Sequence, residues 1–164
     1  MIDELINTFE RTLTFMEQSV ADLSEEQMVQ QPTGVPNHAA WTLGHIVFSC
    51  QGIAGELGAE EWLPDNWESV FGYGSTPTSE VSRYPKKTEL LAMLADSANR
   101  LRQALLATDE SVLGQPHPIK DVCEILPTIG ETLVQIMAAH TAFHAGQLAV
   151  WRRAIGKESV AVFI

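Results

Sequence analysis

The chain is short of positive charge. Ten Lys and Arg stand against 21 Asp and Glu in 164 residues, a formal net charge of -11. Such a surface repels phosphate backbones and anionic headgroups, which argues against nucleic acid or a membrane surface as partner. Cysteine is scarce too. Cys50 and Cys123 lie far apart and form no metal-type pair, so they read as reduced thiols in or near the core. No apolar run approaches the roughly 20 residues of a membrane span. The opening MIDELINTFERTL lacks the basic start and continuous apolar stretch of a signal peptide. A cytoplasmic location is the expectation. Hydrophobic residues make up 45% and charged residues 19%, a balance that excludes a disordered chain. The length predicts a single domain over residues 1–164, long enough to bury a core without staples.

What the chain does have is helical periodicity. The clearest stretch runs from Thr128 to Gly156 and reads as one long helix. Thr128 and Glu131 have capping-box spacing, Gly156 suits a left-handed C-terminal cap, and Arg152 and Arg153 suit the negative end of the dipole. Leu133, Ile136, Met137, His140, His144, Gln147, Leu148 and Trp151 recur at the spacing of a buried stripe. Two histidines one turn apart on an apolar face require an explanation.

Three further helices precede it. Ile2, Leu5, Ile6, Phe9, Leu13, Met16 and Val20 mark a first helix ending near Ala21, followed by a short turn from Ser24. Asn37 is the expected cap of a second, in which Trp41, His45, Phe48 and Gly52 share one side. Gly44 there would admit a neighbouring helix at close range. Thr88 is the expected cap of a third, striped by Leu90, Leu91, Leu94, Ala98, Leu101, Leu105 and Leu106. Between the second and third, residues 58–87 hold three prolines and five large aromatics. A loop this long either covers core edges or shapes a pocket, as a lid would. Between the third and fourth, Val122, Ile125 and Leu126 are expected to tuck inward. The tail SVAVFI is expected to cover the helices or add to an interface. The pattern predicts an all-α four-helix bundle.

His140 and His144 project from one helix face about 6 Å apart at Cβ, close enough to converge on one ion. His45 is the only other histidine centred on an apolar face. His38, near a helix start, and His117, between prolines, are expected at the surface. Two readings of the inward histidines stand: three ligands of a metal, or hydrogen-bonded core residues. Burying several imidazoles without partners is costly, which favours the first.

HTAFHAGQLAVWRRAIG resembles the last-helix signature of the DinB-like superfamily of bacterial metal-binding bundles, and WTLGHIVFS resembles its second-helix motif. The resemblance implies an up-down-down-up bundle, commonly a homodimer. It implies that His45, His140 and His144 hold a divalent transition metal. Three imidazoles suit zinc, nickel, iron or copper, with zinc or nickel placed first. Three neutral ligands leave positions open, as in catalytic sites, where an ion lowers the pKa of bound water or a thiol. The resemblance implies transfer of a low-molecular-weight thiol to small electrophiles. The alternatives are a metal-dependent hydrolase, a non-catalytic metal- or ligand-binding stress-response bundle, and a plain interaction bundle. No catalytic residue is assigned. Gln147 either orients a ligand or fixes helix packing, Arg152 and Arg153 either serve the helix end or meet an anionic substrate, and Glu131 reads as a cap. Cys50 turns away from His45 and is a poor fourth ligand.

Overall fold

The periodic stretches become four long helices in the computed structural model, which describes residues 2–160. Helix α1 (Ile2–Val20) buries Ile6, Phe9, Leu13, Met16 and Val20, each worth roughly 1.5–3 kcal/mol on removal from water. The short α2 (Glu25–Met28) opens on a capping box: Gln27 N–H donates to Ser24 Oγ, and Ser24 N–H to Gln27 Oε1. Helix α3 (Ala39–Glu56) is capped by His38, not by the expected Asn37; Trp41 N–H donates to His38 Nδ1 at 3.2 Å. All of Ala39 through Val47 is buried, because the helices Lys87–Ala107 and Thr141–Ala154 pack on this one together with the short α4 (Trp67–Phe71).

Helix α5 (Lys87–Ala107) begins two residues earlier than a cap at Thr88 suggested, with Lys86 in the capping position. Its first backbone donors find partners that spacing alone did not single out. Lys87 N–H donates to the Glu25 carboxylate of α2, and Lys86 N–H to Glu89. After it come α6 (Glu110–Leu113) and α7 (Lys120–Cys123). Val122 and Leu126 are half-buried as expected, but Ile125 is 80% exposed. The turn between Val122 and Leu126 bonds to itself and points that side chain away.

The final rod is continuous but not uniform. Helix α8 (Ile129–Val134) starts on the Thr128–Glu131 capping box. Residues Gln135–His140 form a π-helical turn, and α9 (Thr141–Ala154) continues to Gly156, whose φ of +80° glycine adopts without strain. Thr141 Oγ1–H donates to the Ile136 carbonyl at 2.8 Å within the wide turn. Such turns inside α-helices are frequently found at functional sites.

Helix α3 packs chiefly on α5, and α1 on α9. At the close of α9, Arg152 donates to the Ser19 carbonyl and to Asp22, just past α1. Among the described residues there is no strand beyond one isolated bridge, Pro116 to Thr128, and no helix long and apolar enough to cross a membrane. The end of the SVAVFI tail lies outside the described residues.

Residues 58–86 are ordered by their aromatics. Trp62 Nε1–H donates to Ser97 Oγ, Trp67 Nε1–H to the Gly44 carbonyl, and Trp41 Nε1–H to Ser75 Oγ. The segment is therefore stitched to both α3 and α5.

Candidate metal centre

The three inward histidines meet. His45 Nε2 lies 3.1 Å from His140 Nε2, and His140 Nε2 lies 3.1 Å from His144 Nε2. One ligand nitrogen from each ring falls within 4.8 Å of the others, the only such group of three His, Cys, Asp or Glu found among the described residues. Nitrogens about 2.0–2.1 Å from a shared ion lie about 2.8–3.4 Å apart across octahedral or tetrahedral angles. His45 and His144 are buried and His140 is half-buried.

The protonation pattern follows from the partners. His45 Nδ1 is 2.6 Å from the Phe71 carbonyl. A carbonyl only accepts, so Nδ1 carries the proton and Nε2 presents a lone pair to the cluster. A backbone carbonyl behind a ligand imidazole is the usual way of fixing tautomer and ring angle. One proton on His140 Nε2 serves only one of its two neighbours. The Nδ1 atoms of His140 and His144 are buried with no hydrogen-bond partner, so neither ring is held as a satisfied core histidine. This donor set is compatible with a metal site.

Burial keeps these rings neutral. It pushes His140 down to about 4, with the neighbouring His45 adding to the effect. His144 is also held at about 4, by burial first and then by His140 and His45. Burial lowers His45 as well, against the pull of the Phe71 carbonyl. Neutral imidazoles are the metal-binding form, so little proton release is needed near neutral pH.

The walls of the site come from α3 and α4. The Trp41 ring stacks on His45 at 4.7 Å, nearly parallel. A Cβ added to Gly44 would sit 2.1 Å from Phe71 Cε1. Gly44 therefore makes room for the ring of Phe71, the last residue of α4, so the neighbouring helix its position suggested is this short one. Phe71 is one of the five loop aromatics that the sequence offered for covering the core or shaping a pocket, with nothing to pair it with His45. The glycine beside His45 was the available signal, but its partner arrives from 27 residues downstream and only the fold reveals it.

The remaining candidates separate. His38 and His117 are both buried, against expectation. The His38 ring is tied at both nitrogens, Nδ1 capping α3 and Nε2–H donating to the Thr78 carbonyl at 2.9 Å. His117 Nδ1 accepts from Ile119 N–H, and its Nε2 lies 4.0 Å from Glu56. Arg152 is buried in a bidentate pair with Asp22, which accounts for it as packing across α1 and α9. Arg153 is exposed. Glu131 is a cap. Cys50 is buried outside the triad, and burial pushes its thiol up to about 12. Gln147 is near enough to favour a charged His144 slightly, yet its buried Oε1 makes no hydrogen bond of good geometry.

The fold and site define an all-α protein with a buried cluster of three histidines. The sequence profile of the DinB superfamily matches residues 8–148, and the chain belongs to that family. A crystal structure of a conserved protein from Enterococcus faecalis superposes with a TM-score of 0.78 at 20% identity, covering 96% of this chain and 98% of that one. At that identity the likeness speaks for the fold. No curated protein matches.

Proposed function

We propose that this protein is a metal-dependent enzyme that transfers a low-molecular-weight thiol to small electrophiles. The observation that carries it is the convergence of three Nε2 atoms with 3.1 Å contacts and no hydrogen-bond pattern that satisfies them all. A divalent ion there, zinc or nickel first, would lower the pKa of a thiol toward neutrality. The chain does the rest. His45, fixed by the Phe71 carbonyl, and His140 and His144 from the last rod would hold the ion with neutral rings. Trp41 closes one side against water. In the transfer, sulfur bonds to the electrophilic carbon, the leaving group departs with its electron pair, and the thiol proton passes to solvent.

The reading includes a single-domain, up-down-down-up bundle acting as a cytoplasmic homodimer. Two contacts support the helix order: Leu57 after α3 and Thr108 after α5 line one cleft, and Arg152 meets Asp22 at the ends of α9 and α1. A non-catalytic metal-binding role in stress response is the second reading, favoured by the absence of any carboxylate from the three-histidine cluster. The test is metal analysis of untagged protein, followed by turnover of a model electrophile with a small thiol. Stoichiometric metal in wild type and none in His45→Ala supports the site. Equal turnover by wild type and His144→Ala removes the enzyme.

A further inference from the structure

We propose that the groove between residues 34–37 and α9 seats an uncharged small molecule with an apolar body, leading from solvent toward the triad. This deepens the proposed function by naming a substrate class, and rests on that reading only for what the molecule meets at the inner end.

The groove encloses about 560 Å³, within the roughly 300–1,000 Å³ of small-molecule sites that are mostly apolar with a few polar groups. No Asp, Glu, Lys or Arg lines it, although the chain carries a net charge of -11. His140, Phe143, Gln147 and Val150 follow one another at three, four and three residues, so they share one helix face. That face has a triad ring at its head and forms the groove wall along its length. Phe143 is 62% exposed while its ring stands edge-on to His144 at 5.4 Å. Gly146 is open floor, where an added Cβ meets nothing within 4 Å. The amides of Asn37 and Gln147 are the polar side chains on the walls. The fitting occupant is therefore neutral and largely apolar, with a hydrogen-bonding substituent or two. A second copy of the chain fits less well: nine residues line the groove, against the roughly 20–30 a side of a stable interface.

A larger cleft of about 670 Å³ lies elsewhere, lined by Glu60, Glu61, Arg100 and Asp109 among others. It carries charge, where the groove carries none, and serves as the control.

The experiment titrates the full chain with N-phenyl-1-naphthylamine, a neutral apolar fluorophore, with and without Co(II). Wild type should bind it saturably. Gly146→Leu fills the floor with a better helix former and should weaken binding at least about tenfold, while Ala107→Leu in the control cleft leaves it within about twofold. Thermal melts confirm that both variants fold. The probe should also shift the visible band of bound Co(II). Unchanged binding in Gly146→Leu overturns the groove, as does binding lost together with a dimer in sedimentation. A wild type that takes up no Co(II) sinks the metal reading alone, and the fluorescence titration then decides the groove by itself.

Discussion

His45 donates from Nδ1 to the carbonyl of Phe71 at 2.6 Å, while the ring of that same Phe71 occupies the space beside Gly44. One aromatic residue of the connecting segment thus sets both the tautomer and the angle of a triad ring. Its ring seats the backbone, and its backbone orients the imidazole. Trp67 reinforces the seat through its indole bond to the Gly44 carbonyl.

Gly44→Ala tests that relationship. Helix propensity alone would favour alanine by about 1 kcal/mol. The Cβ instead collides with the Phe71 ring, and overpacking of this kind costs about 1–3 kcal/mol. The displaced carbonyl should lower metal affinity about 10- to 100-fold, as loss of a supporting partner does. Urea unfolding and competitive metal titration read the two effects separately. Gain of stability with unchanged affinity would contradict the argument.

Metal should stabilise the fold through the triad alone. At 100 times its dissociation constant, an ion binding only the native state adds about 2.7 kcal/mol. Wild type is expected to melt at a higher temperature with zinc or nickel than after chelation. His140→Ala removes the nitrogen that lies 3.1 Å from both others, and should abolish the difference.

Acid should weaken the protein partly through His38. Burial pushes this ring down to about 4 from an ordinary 6.5, against hydrogen bonds that include the Thr78 carbonyl. The folded state therefore binds fewer protons than the unfolded chain between those values. The stabilisation is complete above the unfolded value and is lost as pH falls toward 4. Protonating Nδ1 would also break the α3 cap. Between pH 7 and pH 5 the loss from this group should be about 2 kcal/mol. Comparing urea midpoints of wild type and His38→Asn at both pH values isolates it, because asparagine still caps but does not titrate.

Arg152→Ala should destabilise by about 3–5 kcal/mol, the usual effect of removing one partner of a buried pair. The Ser19 and Glu158 carbonyls and Asp22 all lose a donor. Asp22 is half exposed and retains Lys157, which places the value at the lower end. Metal content should not change. A loss of substrate affinity without a loss of stability would instead assign this arginine to the site.

Much of this protein is written locally. The three-and-four spacing of Ile6, Phe9, Leu13 and Met16, of Leu90, Leu94 and Leu101, and of Leu133, Met137 and Leu148 determines rods with one buried face, because a helix repeats its faces every 3.6 residues. The same rule determines that His140 and His144 share a side, and the Thr128–Glu131 box and Gly156 mark where their rod begins and ends. Tertiary structure decided what depends on residues distant in sequence. It placed His45 within 3.1 Å of His140 across 95 positions, gave His45 its partner at Phe71, and started α5 on a carboxylate from α2. It buried His38 and His117, which their neighbours suggested were exposed, because each found a backbone partner that desolvation requires. Periodicity is a property of adjacent residues and is legible in order; satisfaction of a buried polar atom depends on whichever chain segment arrives beside it, and only folding brings that segment there.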